Sequence, residues 1–211
     1  MRRAIPIIAA AACVAIAVLC GFRIEQVNSA YPQQHSYVYS VGSEAVYAGQ
    51  NSSGEEVDRG SIAVRALNFR SVGYGRIREM VPGYTDSSIE EGTASDMRAL
   101  LIDLEIVNTS SDVERAHVRD YHVESNAWMN GLYAPLYMSI NDDPSTIVEL
   151  EPGEKVERTL VYLIYDTQMN SRGDWERVEQ RSYSLELALY PDKYSIDLGA
   201  PDVGRGEGGS V

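Results

Sequence analysis

Residues Met97 to Asp112 read MRALLIDLEIVNTSSD. From Leu100 to Ile106 every second residue is a leucine or an isoleucine, whereas Asp103 and Glu105 have the opposite parity. This period of two is typical of a β-strand with one buried face and one face turned to water. The run stops at residues 108–112, whose short polar side chains favour a turn. The sequence therefore predicts a central strand here, with further strands packed around it.

The rest of the chain repeats this alternation in short segments that are separated by turn-rich loops. Gly73 and Gly75 interrupt one segment, and the turn at residues 151–154 (EPGE) precedes another. Helical periodicity is almost absent, apart from a possible helical turn at 174–179. We therefore expect a sandwich of two antiparallel sheets. The predicted strands are 35–41, 44–48, 61–72, 100–107, 118–124, 155–166, 182–190 and 194–198. The other predicted segments are loops at 49–60 and 83–95 and a hairpin or irregular edge at 128–137.

The N-terminus is the other distinctive part of the chain. It opens Met1-Arg2-Arg3 and then runs for 19 residues, from Ala4 to Phe22, without a charge. About 20 apolar residues are needed to cross a bilayer, whereas a secretory signal has a shorter apolar centre. This length favours an uncleaved transmembrane anchor. With Arg2 and Arg3 on the cytoplasmic side, the positive-inside rule predicts that the domain is exported.

Two alternatives to an uncleaved anchor stay open. Signal cleavage after Ala30 would place Asn28 where a small residue is preferred. A lipoprotein signal would need a small residue before its cysteine, but Leu19 precedes Cys20, and the apolar region ahead of Cys13 is short.

These features divide the chain into an anchor or signal segment at 1–23, a stalk at 24–36, a β-sandwich at 37–198 and a disordered tail at 199–211. The only cysteines are Cys13 and Cys20. The folded part therefore has neither a disulfide nor a thiolate metal site.

The charge balance argues against several classes of partner. The chain has 31 acidic and 18 basic residues, and three of the basic ones flank the apolar N-terminus. Residues 24–211 therefore carry a net charge of −16, that is 15 minus 31. Such a surface repels phosphate backbones and anionic lipids, so nucleic-acid binding is disfavoured.

Few residues suggest chemistry. His117 and His122 are five residues apart, on opposite faces of an extended strand, so we interpret them, with His35, as surface or capping residues. Ser195 lacks a glycine elbow and a histidine nearby in sequence, which disfavours a nucleophile. The oxygens of Asn141, Asp142 and Asp143, together with those of Asp120 or Glu149, could bind Ca²⁺, but their spacing matches no calcium loop and a solvated turn is favoured.

Three further patterns have simple explanations. Trp128, Tyr133 and Tyr137 could form a contact patch, although core packing is favoured. Gly73 to Gly75 with Arg76 and Arg78 is rejected as a phosphate loop because no strand, glycine and helix follow one another there. The segments 51–53 and 108–110 fit the glycosylation pattern, which matters only in a eukaryotic secretory route. The sequence thus predicts no catalytic, metal or cofactor site.

Three segments together resemble a broad family of bacterial exported or membrane-anchored domains of unknown function. They are LLIDLEIVNTS at 100–110, ELEPGEKV at 149–156 and LVY at 160–162. The family is similar in fold to a secreted mycobacterial antigen, and the resemblance implies an immunoglobulin-like sandwich, but it carries no catalytic motif to this chain. We therefore expect an all-β fold, namely an immunoglobulin-like antiparallel β-sandwich preceded by one N-terminal transmembrane helix.

The expected function is that of a non-enzymatic binding module, tethered at the extracytoplasmic side of the cell membrane and contacting a protein of the cell envelope. An accessory subunit of a membrane transporter or envelope complex, in which the small residues Ala9 to Ala12 let the helix pack closely, is the alternative. A hydrolase is less favoured because no nucleophile lies beside a plausible base.

Overall fold

The computed structural model describes residues 4–30, 34–126 and 128–203. The chain forms two compact units, Met1–Gln34 and His35–Val211. The predicted tail at 199–211 lies mostly outside the described residues, although Gly199 still belongs to a strand and 202–203 form another.

The first unit contains helix α1 (Ala4–Ala30), which is 27 residues long. At about 1.5 Å per residue this is about 40 Å, enough to cross a bilayer. Within the described chain it is the one helix long and apolar enough to do so, and a signal sequence would pass the same test. The helix continues seven residues beyond the predicted boundary at 23, so most of the predicted stalk is helical. No Gly or Pro interrupts residues 24–30, and Arg23 bonds Gln26 one turn later.

The second unit is mostly β-structure. Its described strands are β1 (Ser36–Ser40), β2 (Ala45–Val46), β3 (Gly49–Gln50), β4 (Glu56–Val57), β5 (Ile62–Gly73), β6 (Met97–Asn108), β7 (Glu114–His117), β8 (His122–Ser125), β9 (Trp128–Gly131), β10 (Ile147–Leu150), β11 (Lys155–Tyr165), β12 (Tyr183–Ala188), β13 (Lys193–Gly199) and β14 (Asp202–Val203). Its short helices are α2 (Tyr74–Met80), α3 (Ser87–Glu90), α4 (Ala134–Ile140) and α5 (Arg172–Glu176).

The predicted central strand is confirmed as β6. It lies between β5 and β11, and both pairings are antiparallel. The first half of β6 does not alternate, because three consecutive apolar residues, Leu100, Leu101 and Ile102, are all buried. The outward carboxylate of Asp103 is held by Arg70 at 2.9 Å. Thus β6 is covered on both faces in its first half and only its second half follows the predicted pattern.

Two five-stranded sheets make up most of the domain. Sheet 1 has the order β1, β13, β12, β8, β9; sheet 2 has the order β11, β6, β5, β14, with β2 also pairing with β5. The inward residues of both sheets form one hydrophobic core. The rings of Phe69 in sheet 2 and Tyr183 in sheet 1 meet edge to face at 5.6 Å. Two small sheets, β7 with β10 and β3 with β4, complete the fold.

The expectation of purely antiparallel sheets is wrong at two edges. β1 runs parallel to β13, with Ser36 opposite Lys193, and β14 runs parallel to β5. Alternating hydrophobicity specifies which face of a strand is buried but carries no information on its direction.

Several segments differ locally from the prediction. The predicted hairpin or edge at 128–137 is strand β9 followed by helix α4, in which Pro135 occupies the first turn, where a missing N–H costs little. The predicted strand 118–124 begins with a 3₁₀ turn at Val118–Asp120, and only its second part, from His122, is a strand. The loop 49–60 contains the short β3 and β4 pair. The turn predicted at 174–179 contains part of α5 and a 3₁₀ turn at Val178–Gln180.

The outer edge of β11 is closed by side chains and one backbone amide. Asn141 accepts the backbone N–H of Thr159 at 2.8 Å and donates to its carbonyl at 3.0 Å. The Tyr133 N–H donates to the Val161 carbonyl, and the Asn130 amide donates to the Leu163 carbonyl. At this edge both backbone groups of Thr159 and the carbonyls of Val161 and Leu163 are therefore occupied, which obstructs the addition of a further strand.

Candidate functional site

The outer face of sheet 1, away from the core, carries polar side chains. Within β12, Ser184 and Glu186 have one parity, whereas the buried Tyr183, Leu185 and Leu187 have the other. The strand pairing aligns these outer residues in two rows across the sheet. From β1 to β9, one row is Val38, Ser195, Glu186, His122 and Gly131, and the other is Ser40, Asp197, Ser184, Glu124 and Met129.

Glu186 is the unusual member of these rows because it is only 1% exposed. Its Oε1 accepts a hydrogen bond from the Ser184 hydroxyl at 2.6 Å. Its Oε2 receives no hydrogen bond from any described residue. The nearest cation is the Lys193 ammonium, whose Nζ lies 3.4 Å from Oε2 and forms an ion pair without hydrogen-bond geometry. A buried carboxylate oxygen without a donor is costly to keep.

Lys193 is directed mainly at a different carboxylate. Its Nζ lies 2.7 Å from Oε2 of Glu124, so the side chain passes from β13 over β12 to β8. This path helps to cover Glu186. Burial alone would lower the pKa of Lys193, but its hydrogen bond with Glu124 and the charge of Glu186 raise it, so the ammonium form is favoured.

These groups lie in an open cleft of about 280 Å³. The cleft extends from Ser36 and Val38 on β1, past Ser195 and Asp197, to Glu124 on β8. It contains three carboxylates, Glu124, Glu186 and Asp197, and one ammonium group, that of Lys193. We call this the outer cleft. Its excess of negative charge suits a cationic group.

Burial raises the pKa of Glu186, against the opposing effects of the Ser184 hydrogen bond and the Lys193 charge. A carboxyl group whose pKa is raised by folding holds its proton more tightly in the folded state. The folded state is therefore destabilised as the pH rises through the unfolded pKa of 4.5 towards the higher folded pKa. Glu186→Gln has no such proton to lose. We expect its free energy of unfolding, relative to the wild type, to increase from about pH 4 to about pH 7.

This prediction is checked by guanidinium unfolding of the full chain in detergent. Glu79→Gln is the matched control, because Glu79 is exposed on α2 and the substitution removes the same charge. If the free energy of unfolding of Glu186→Gln differed from that of the wild type by the same amount at both pH values, the prediction would be contradicted.

The free edge of β1 borders the outer cleft. The carbonyl of His35 accepts the N–H of Lys193 at 2.8 Å, so residues 35, 37 and 39 direct their backbone groups towards β13. Because these groups alternate along a strand, those of Ser36 and Val38 point away from the sheet. The Val38 side chain is 65% exposed. β1 ends at Ser40, whose N–H is taken by the Ser43 hydroxyl.

The structure brings Ser195, Glu186 and His122 together in one row, which the sequence did not suggest. Their order, however, is unsuited to nucleophilic catalysis. Glu186 lies between the serine and the histidine, and two strand spacings place the backbones of Ser195 and His122 about 10 Å apart. A serine nucleophile needs the base as its immediate neighbour. In this row the immediate neighbour of Ser195 is therefore Glu186 and not the histidine.

The other histidines lie apart from the outer cleft. His117 is only 7% exposed, so the expectation of a surface residue is wrong for it; it ends β7, and its Nε2 is 3.4 Å from Glu55. His35 is exposed and its Nδ1 is 3.3 Å from Asp192. Since a 3₁₀ turn separates His117 from His122, the two residues do not share one strand as predicted.

The candidate calcium ligands are dispersed. Asn141 closes the β11 edge, and Asp143 accepts the Ser145 N–H and pairs with Arg158 at 2.7 Å. Asp120 accepts the N–H of Ser52 at 2.8 Å, and Glu149 pairs with Arg115 at 3.0 Å. Across residues 4–30, 34–126 and 128–203, no group of three or more His, Cys, Asp or Glu residues is placed to hold a metal ion.

The candidate aromatic patch does not form a single surface. Tyr137 is fully buried and donates to the Ser145 carbonyl. Trp128 packs edge to face on Tyr183 at 6.3 Å. Core packing, the favoured interpretation, therefore holds for both residues.

The reason for rejecting a phosphate loop at Gly73 to Gly75 needs correction. Strand β5 ends at Gly73 and α2 begins at Tyr74, so a strand, a glycine and a helix do follow one another. Both arginines are nevertheless engaged, since Arg76 pairs with Glu79 at 2.7 Å and Arg78 lies 5.9 Å from the ring centre of Tyr74.

The two glycosylation-pattern asparagines differ in access. Asn108 is fully buried, whereas Asn51 is partly exposed and bonds Glu55 within its own loop.

The sequence reasoning missed the outer cleft. The sequence placed Glu186 on the polar side of a predicted strand. Its neighbours Lys193 on β13 and Glu124 on β8 could be identified only from the order of the strands in the sheet.

Several solved structures of bacterial proteins are similar to this chain at low identity. A candidate lipoprotein from Bacillus subtilis is 14% identical, with a TM-score of 0.40; the match covers 74% of this chain but only 39% of that protein. An uncharacterized beta-sandwich protein from Clostridium difficile is 11% identical, with a TM-score of 0.39 and coverage of 79% and 96%. A conserved hypothetical protein from Bacillus anthracis is 16% identical, with a TM-score of 0.43 and coverage of 75% and 95%.

Comparison with curated proteins found no match. A family profile described as a domain of unknown function, DUF5028, matches residues 37–194, which is about three quarters of the sequence and nearly all of the β-domain. The chain therefore belongs to the DUF5028 family of domains of unknown function.

Proposed function

We propose that this protein is a non-enzymatic binding module that its N-terminal helix holds at the extracytoplasmic face of a bacterial cell membrane. The observation that carries the proposal is the free edge of β1 beside the outer cleft. A strand edge with unpaired backbone groups is a common site of protein recognition. The row of Ser195, Glu186 and His122, with the acid in the middle, supports binding over hydrolysis.

The location rests on the apolar helix and its flanking charges. Helix α1 is long enough to span a bilayer, and Arg2 and Arg3 precede it. The immunoglobulin-like identity of the sandwich is part of the same proposal, supported by two sheets that share one core. The likeness to a secreted mycobacterial antigen stays a prediction.

The proposal is tested by cross-linking in intact cells that express the full chain. A photo-reactive amino acid replaces Val38 at the free edge or, as the control, Leu67, an apolar residue of β5 that is 43% exposed. We expect a discrete protein to be captured from position 38 and not from position 67. Capture from neither position, or the same products from both, would contradict a binding role for this edge.

Two additions separate the alternatives. Replacement of residues 4–22 by an unrelated apolar helix should preserve the cross-link of a binding module, whereas an accessory subunit that binds through its helix would lose it.

The location is tested by labelling. Val38→Cys should react with a membrane-impermeant maleimide on intact cells, and the native cysteines, Cys13 and Cys20, should not compete because they lie within the apolar segment. Labelling only after permeabilisation would contradict export.

A further inference from the structure

We infer that the partner contributes an extended, basic segment, which adds to the free edge of β1 as a sixth strand of sheet 1 and directs a Lys or Arg side chain into the mouth of the outer cleft, towards Asp197. This inference rests on the proposed function and specifies the chemistry of the partner.

The first argument is that β1 has an edge that can accept a strand. The N–H and C=O groups of Ser36 and Val38 point away from β13, as the His35 and Lys193 bond requires. The sequence of β1, SYVYS, contains no charged residue and no proline. Residues of these two kinds commonly block the addition of a strand to an exposed edge. The β11 edge of sheet 2, by contrast, is closed by Asn141, Tyr133 and Asn130. Among the described residues, protection of the sheet edge is therefore present at β11 and is not seen at Ser36 and Val38 of β1.

The second argument is that the outer cleft begins at this same edge. Ser36 and Val38 form its mouth, and Glu186 lies two strands further in. A strand added to β1 would lie about 4.8 Å beyond it, and about 10 Å from β13. The side chain of a Lys or Arg placed beside Val38 could extend across β1 towards Asp197, whereas Glu186 would act on it as a charge deeper in the cleft.

The third argument is charge. Glu186 is 99% buried, and its Oε2 lacks a hydrogen-bond donor among the described residues. Lys193 lies 3.4 Å away but donates its hydrogen bond to Glu124. A guanidinium or ammonium group at the mouth of the cleft would balance the excess negative charge of its three carboxylates, which the Lys193 ammonium compensates only in part. The chain as a whole carries a net charge of −13, which favours a basic partner and disfavours pairing with a second copy.

The test uses the full chain in nanodiscs of phosphatidylcholine, a zwitterionic lipid that does not attract basic peptides by net charge. The probes are nine-residue peptides in which Thr and Val alternate around a central Arg, Met or Glu. Binding is measured by fluorescence anisotropy. We expect the Arg peptide to bind at least about tenfold more tightly than the Glu peptide, with a difference that shrinks as salt is added.

Matched variants assign this preference to the cleft. The double variant Glu186→Gln with Asp197→Asn should lose the preference for Arg over Met. The control, Glu79→Gln with Glu176→Gln, removes the same charge from exposed helix positions and should keep it. Equal affinity for the Arg and Glu peptides, or equal loss in both double variants, would overturn the inference.

Strand addition has a separate readout that leaves the protein unchanged. An added strand bonds through one edge only, so N-methylation of one alternate set of peptide amides should abolish binding and methylation of the other set should not. Equal binding of both methylated peptides would overturn strand addition. If the peptides fail while position 38 still captures a protein in cells, this inference fails and the proposed function stands. A cross-link between two copies of the chain through position 38 also overturns it.

Discussion

Raising the pH above about 10 is expected to destabilise the β-domain strongly, because its buried tyrosines, three of which lie close together, have protonated hydroxyl groups. Tyr47 and Tyr121 share a hydrogen bond between their hydroxyls at 2.9 Å, and the Tyr162 hydroxyl donates to the Tyr121 carbonyl at 3.1 Å. Burial raises the pKa of Tyr47 to about 12. Burial also raises the pKa of Tyr121 and Tyr162 well above the ordinary value of 10.0. Ionisation of any of the three would place a charge in the core.

The sign of the effect follows from proton binding. Below pH 10 these phenols are protonated in both the folded and the unfolded chain, so they contribute no pH dependence. Above pH 10 the unfolded chain loses its phenol protons while the folded chain keeps them, so stability falls as the pH rises. Each group contributes about 1.4 kcal/mol per pH unit once the unfolded form is ionised. Three groups together remove about 4 kcal/mol per pH unit, against a typical total stability of about 5 to 15 kcal/mol.

The measurement is guanidinium unfolding of the full chain in detergent at a series of pH values between about 8 and 11. Tryptophan fluorescence reports on the β-domain alone, because the two tryptophans are Trp128 and Trp175. Tyr162→Phe should reduce the alkaline slope by about 1.4 kcal/mol per pH unit, because one buried phenol is removed. Tyr190→Phe is the control, because Tyr190 is 74% exposed. The same slope in both variants would show that the Tyr162 phenol does not contribute to it.

The strands with the clearest alternation were the most predictable parts of the fold. β6, β11 and β12 were recognised because each has several large aliphatic side chains at a period of two, and this pattern reflects burial directly. Near the end of β11 apolar residues occupy both faces of the strand, and residues 160–164 are all buried.

The short helices and the strand order could not be predicted in the same way. α2 has seven residues and buries only Ile77, which is too little for a helical period to show. The parallel pairing of β1 with β13 joins residues that are about 157 positions apart, and alternation specifies neither the partner nor the direction of a strand.

The outer cleft lay beyond sequence reasoning for a related reason. The position of Glu186 in the alternation of β12 indicates a face turned to water, and a glutamate on such a face suggests no functional site. Its burial arises from Lys193, which crosses from β13 towards Glu124 on β8. Three strands had to be placed side by side before a buried acid could be recognised.

The substitution Asn108→Asp is expected to destabilise the domain by about 3 to 5 kcal/mol, since it buries a charge without a partner. Asn108 ends β6 and is fully buried. Its amide donates to the carbonyls of Asp112 at 2.7 Å and Leu150 at 2.9 Å, and its Oδ1 accepts the Ser110 N–H at 2.8 Å. In the aspartate, an oxygen replaces the amide nitrogen and faces two carbonyl oxygens. Both donated bonds are lost, and the contacts become repulsive.

The loss of stability caused by Asn108→Asp should depend on pH in a defined direction. Burial without donors raises the pKa of an introduced carboxyl group, and only its neutral form can still donate one of the two hydrogen bonds. The penalty should therefore be smaller near pH 4 than near pH 7. Asn170→Asp is the control, because Asn170 is exposed and the substitution adds the same charge. Guanidinium unfolding, followed by tryptophan fluorescence, measures both variants. A loss below about 1 kcal/mol, or one equal to that of Asn170→Asp, would mean that the turn adapts to the carboxylate and that Asn108 does not hold β6 to β10.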